Sequence, residues 1–203
     1  SATMAATDFR YNSQYVGLGA NLRLSPRVGA IVEGILQDGS TLASLATPLR
    51  IPIDASAFDA LVFWSPKGAN QPLVQGEYAF GSGDRDRASV TNTIGGKTTA
   101  TTDQNFLYFG RLETGVALSP RLSNMHMVRL GYQQRLRLKG RPIELTDPIL
   151  GMKLSTYYKE HQAGAISDTL ATNVTSDHIG DAIDFYTAWR VASDISFNFQ
   201  YGY

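Results

Sequence analysis

"MHMVRLGYQQRLRLK", Met125 to Lys139, carries two kinds of side chain in alternation. Val128, Leu130, Tyr132, Leu136 and Leu138 share one face of an extended chain, interrupted only by Gln134. Arg129, Gly131, Gln133, Arg135, Arg137 and Lys139 share the other, because successive side chains on a strand point to opposite sides. Four cations in one row cannot face a dry sandwich core, since an unpaired buried charge is strongly unfavourable. Either that row meets bulk water over an ordinary core, or it meets an enclosed polar space while the leucines meet something apolar outside.

Other segments favour the second reading. In "LVQGEYAFG", Val74, Gly76, Tyr78 and Phe80 oppose Gln75, Glu77, Ala79 and Gly81. In "VGAIVEGILQ", Val28, Ala30, Val32, Gly34 and Leu36 oppose a face with Glu33 and Gln37. In "IGDAIDFYTAWRV", Ile183, Phe185, Thr187, Trp189 and Val191 oppose Asp184, Tyr186, Ala188 and Arg190. Aromatic residues gather near strand ends, as in the girdles of a lipid-facing band. Further strands are expected at "YVGLGANLRL", "AFDALVFW", "FLYFGRLETGVAL" (Phe106 to Leu118) and the closing "ISFNFQYGY". Between them, "SPR", "SPKGANQP", "SPRLSN" and "ASD" are short, whereas the other connections are long and polar, up to the stretch from about Gly140 to Asp177. Tight turns at one rim and long loops at the other are the mark of outer-membrane barrels.

The bulk composition agrees. The 203 residues suffice for one all-β domain. Eighteen basic side chains balance eighteen acidic ones, so no global field points to nucleic acid. There is no cysteine, which excludes disulfides and thiolate metal sites. No apolar run is long enough for a spanning helix. "SATMAATDFR" has no basic segment leading into an apolar one, so for an exported form the leader is expected either to have been shed or to lie outside this sequence. The expected fold is an antiparallel up-and-down transmembrane β-barrel with about eight strands in this chain. It forms one domain over residues 1–203, either whole or the C-terminal part of a larger barrel.

Two stretches resemble a known family. "QGEYAFGSGDRDR" (Gln75 to Arg87) is similar to a strand running into a Gly-Asp-rich loop in the alginate-export family of outer-membrane barrels. "HIGDAIDFYTAWRVASDISFNFQYGY" (His178 to Tyr203) resembles that family's last hairpin, ending on a Gly-aromatic pair. The resemblance covers mainly the C-terminal two thirds and implies a bacterial outer-membrane pore, lined by Arg with interspersed acids, for an anionic polysaccharide or a smaller solute. Family barrels have about twice as many strands. A closed eight-stranded barrel is just filled by its own side chains, so this chain is either part of a wider pore or a wall around packed ion pairs.

The expected solute path comprises Arg23, Glu33, Glu77, Arg111, Glu113, Arg129, Arg135, Arg137, Lys139, Asp184 and Arg190. A row of cations lowers the barrier for anions, as charged rings do in pores. The competing expectation is internal pairing of Glu33, Glu77 and Glu113 with those arginines, with Lys139 and Arg141 touching lipopolysaccharide phosphates. Asp84 and Asp86 in "GSGDRDR" are lesser candidates for calcium, short of a full ligand set. Ser176, Asp177, His178, Asp181 and Asp184 raise an outer-membrane enzyme acting on lipid or glycan, but sequence neighbours on a strand need not converge. The expected function is a non-enzymatic pore or exporter component in the bacterial outer membrane, passing polar, chiefly anionic solutes. Its partners are outer-membrane lipid, lipopolysaccharide and the solute; no cofactor and no nucleic acid are expected. The alternatives are a closed barrel with structural or loop-mediated binding work, and the enzyme.

Overall fold

The computed structural model describes residues 11–43, 49–90, 96–97, 99–108, 112–137, 148–166, 176–192 and 194–203. Eight strands form one antiparallel sheet in chain order: β1 (Asn12–Arg23), β2 (Val28–Leu42), β3 (Arg50–Trp64), β4 (Leu73–Gly81), β5 (Met125–Arg135), β6 (Ile149–Lys159), β7 (His178–Arg190) and β8 (Ser196–Gly202). Every neighbour in the sheet is the next strand along the chain. Among the described residues there is no helix, and β1 and β8 do not pair with each other. The sheet is open.

The register puts large apolar side chains from every strand on one face. Leu18, Gly34, Phe58 and Phe80 lie in one crosswise row, and Gly76, Leu130, Leu154 and Ile183 in another. This face is exposed: Leu18 is 83% accessible, Leu130 61% and Phe199 64%. The buried residues belong to the opposite face. Ile53, Ala55, Ala57, Ala79, Met125, Met127, Tyr157 and Ala182 form a core there with Phe106 and Leu122, which come from the β4–β5 connection. That connection folds back over the sheet, so the opposite face is here called the covered face.

The expected fifth strand, Phe106 to Leu118, is not one: its described residues, 106–108 and 112–118, have no strand pairing. Its alternation has another cause, since Phe106, Tyr108, Leu112 and Leu118 pack on the core while Glu113 is exposed. The missing strand is β6, which lies inside what the sequence suggested was the longest loop. "ILGMKLSTYYK" does alternate, with Met152, Leu154, Thr156 and Tyr158 opposing Gly151, Lys153, Ser155 and Tyr157. Its glycine, lysine and hydroxyl residues suit a polar covered face and look like a loop in isolation. β3 also starts earlier than expected, at Arg50, so the β2–β3 connection at 43–49 is short. The ends of the strands from which the connections after β1, β3, β5 and β7 leave thus share one rim, and those for the connections after β2, β4 and β6 the other.

Two backbone positions shape the second rim. Gly39 adopts φ 149°, and an added Cβ would strike the Asn12 carbonyl on β1; only glycine fits this close pairing. Asn124 has φ 51° just before β5. Its buried amide accepts from His161 N at 2.8 Å and donates to His161 O at 3.0 Å and Ala165 O at 3.2 Å. Those bonds offset the strain of a left-handed residue, and they tie the start of β5 to the turn after β6.

Candidate functional site on the covered face

The β4–β5 connection enters along an edge that β4 leaves vacant. β4 pairs with β3 only from Ala57 onward, so the first residues of β3 lack a neighbour on that side. Asp103 takes the place: its N–H donates to Pro52 O and its carbonyl accepts from Asp54 N, both at 2.9 Å. From there the chain runs over the sheet and is held by side chains of the strands. Tyr15 OH donates to Leu107 O at 3.1 Å, and Gln37 Oε1 accepts from Leu107 N at 2.8 Å. Tyr157 OH donates to the carbonyls of Thr114 and Leu118. Asp184 accepts from Val116 N at 3.2 Å and Ala117 N at 3.4 Å.

Two buried ion pairs fold the first half of this connection. Arg87 Nη1 meets Asp103 Oδ2 at 3.0 Å, and the Lys97 ammonium meets Asp84. Burial disfavours the Asp84 anion, but Lys97 and the N–H groups of Asp86 and Gln104 outweigh it and hold its carboxyl below the usual range. At Asp103 burial prevails over the attraction of Arg87, and the carboxyl titrates above the usual range. The calcium candidates therefore have other occupants. A lysine sits on Asp84, and Asp86 accepts from the Thr99 hydroxyl at 2.9 Å. Among the described residues no group of three or more His, Cys, Asp or Glu side chains could hold a metal ion.

Beneath the connection remains a cavity of about 570 Å³, bounded by Glu113 and Ser119 above and by Gln75, Arg129, Gln133, Lys153 and Tyr186 on the strands. Crosswise pairing explains the grouping: Gln75, Gly131, Lys153 and Asp184 form one row, and Gln133, Gly151 and Tyr186 the next. The glycines let neighbours lie flat. The Tyr186 ring covers Gly151, where a Cβ would collide with it, and its hydroxyl donates to Gln133 Oε1 at 2.7 Å. Lys153 Nζ stands 5.6 Å from that ring's centre, within cation–π range.

The expected path residues divide into several groups. Arg129 is buried and fully engaged, with Nη1 on Glu77 at 2.9 Å and Nε on Ser155 at 3.1 Å. Asp184 is buried under the connection. Arg23, Glu33, Glu113, Arg135, Arg137 and Arg190 are exposed. The basic row is shorter than its sequence suggests, because β5 ends at Arg135 and Arg137 lies beyond the strand. Arg111, Lys139 and Arg141 lie outside the described residues.

Lys153, Tyr186, Gln75 and Gln133 were not anticipated as site residues. The alternation of β6 carried the signal for Lys153, but nothing local marks the others. Of the residues that raised an enzyme, Ser176, His178 and Asp181 stay together and Asp184 is separated from them. A register shift at Tyr157/Tyr158 lets His178 and Asp181 share the exposed face, 3.2 Å apart, while Asp184 faces the other way. Ser176 Oγ donates to the His178 carbonyl at 3.1 Å. No protein-family model matches this chain, and no curated protein matches it.

Proposed function

We propose that this chain is wall of a bacterial outer-membrane β-barrel, a pore or exporter component that lets polar, chiefly anionic solutes cross passively. One observation carries the reading: every strand presents exposed apolar side chains on the same face, from Val16 and Leu18 on β1 to Phe197 and Phe199 on β8. In water an apolar surface of that extent is a strong liability; in lipid it is the required surface. Exposed Trp64, Tyr132 and Trp189 toward one rim, and Tyr78 and Tyr158 toward the other, support the reading as candidate interfacial belts. The covered face, with its ion pairs and polar cavity, then faces the axis.

Mechanism follows from which charges are already satisfied. Arg129 is neutralised by Glu77, so it shapes the wall more than it attracts solute. Lys153 and Arg135, together with Arg23, supply the accessible positive potential, and Glu33 and Glu113 limit its depth. The β4–β5 connection narrows the passage and suits it to small solutes. The likeness to alginate export supports an anionic saccharide as cargo, and a polymer would need that connection displaced.

Planar-bilayer recording of the refolded protein tests the reading. Discrete steps with an anion-selective reversal potential are expected, shifting toward cation selectivity in Lys153→Glu and Arg135→Glu. Inserted protein that passes no current would overturn it.

A further inference from the structure

We infer that the exposed face carries, at the rim where β4 ends and β5 begins, a site for the sugar headgroup of a glycolipid, with an acyl chain in the groove beside it. The inference rests on the membrane-wall reading and names a lipid partner for one patch of that wall. Crosswise pairing sets three rows across β4 to β7. Phe80, His126, Tyr158 and His178 stand nearest the rim, and Tyr78, Val128, Thr156 and Asp181 come next. Gly76, Leu130, Leu154 and Ile183 follow. The first row is a run of flat rings. His126 stacks on Phe80 at 4.9 Å between centres, and its Nδ1 shares a hydrogen bond with Tyr78 OH at 2.9 Å. The Tyr158 and His178 rings lie 5.2 Å apart. His178 Nε2 meets Asp181 Oδ1 at 3.2 Å, and both side chains are exposed.

An interfacial belt needs only tyrosine and tryptophan. An imidazole beside a carboxylate on a lipid-facing surface is costly unless polar headgroups reach it. This patch sets an acceptor, Asp181, next to groups that both donate and accept, His178 and the Tyr158 hydroxyl. Sugar hydroxyls do both as well, so one pyranose can serve the carboxylate and the imidazole together, with its C–H face on the ring row. A phosphate offers acceptors and would meet the Asp181 charge; an ammonium offers donors alone. Val128, Leu130, Leu154 and Ile183 border a groove of about 430 Å³ that also touches Thr156 and Asp181. His126 and Leu130 stand about 13 Å apart along β5 at the usual strand rise. The groove therefore leads from headgroup level into hydrocarbon, where an acyl chain belongs.

Vesicles holding equal mole fractions of a glucosyl diacylglycerol, phosphatidylglycerol and phosphatidylethanolamine, with matched acyl chains, test this. The protein is inserted, extracted in detergent, and its retained lipids are counted by native mass spectrometry. The glucosyl lipid should be enriched on the order of tenfold over either phospholipid, as a hydrogen bond to a charged group would give. Asp181→Ala should abolish the enrichment, and so should Leu154→Trp, which fills the groove. Leu18→Ala, on the same face of β1, should leave it unchanged. Equal retention of the three lipids, a preference for either phospholipid, or an enrichment that survives Asp181→Ala would overturn the inference. Flotation of the vesicles is read separately: inserted protein without a preference sinks this inference alone, whereas protein that stays in the aqueous fraction sinks the wall reading as well.

Discussion

At the residue scale, the Arg129–Glu77 pair shows how position changes the meaning of a charge. The sequence makes Arg129 one of four equivalent cations; the sheet buries it between Glu77, Ser155 and Met127. Glu77→Gln should destabilise the protein by about 3–5 kcal/mol, since it leaves a buried guanidinium without its counter-charge. Chemical denaturation in detergent measures this, and adding Arg129→Met should recover much of the loss. Asp84 gives a pH dependence with a defined sign. Its folded pKa is depressed, so its pairing with Lys97 contributes fully above the ordinary carboxylate range and is lost as pH falls through the lower folded value. Proteolysis of the β4–β5 connection should therefore accelerate only at strongly acid pH. Asp84→Asn should remove that step, leaving the opposite-signed contribution of Asp103.

At the scale of elements, the β4–β5 connection is a surface segment in the sequence and a packed layer in the fold. Strand side chains hold its second half to the sheet, Tyr157 and Asp184 among them. Tyr157→Phe removes the donor shared by the Thr114 and Leu118 carbonyls and should weaken docking by about 1–3 kcal/mol. Hydrogen exchange should rise across residues 112–118 while the strands stay protected. The exchange of roles between the expected fifth strand and β6 belongs to this scale. Alternation reports that one side of a segment is buried, and it is equally satisfied by a strand in the sheet or by an irregular chain lying on it. The choice depends on pairing partners far away in sequence.

For the molecule as a whole, the decisive quantity is the medium against the exposed face. Leu130 lies well within the apolar band, and Leu130→Arg should cost about 2–4 kcal/mol of stability in bilayers if that face meets lipid near the midplane. Refolding into liposomes under a urea series measures it. A variant as stable as the parent would mean that the leucines face water.

Period-two alternation, balanced charge and turn-rich connections were enough to read from sequence an all-β, antiparallel, up-and-down sheet with an apolar face and a polar one. Those properties follow from local geometry, because side-chain direction along a strand depends only on the neighbouring residue. Which charges remain accessible, which segment lies over the sheet and which residues bound the cavity were decided by the tertiary structure. Each depends on crosswise register: Lys153 beside Asp184, Tyr186 over Gly151 and Asp103 on the vacant edge of β3 are neighbours only once the strands are aligned.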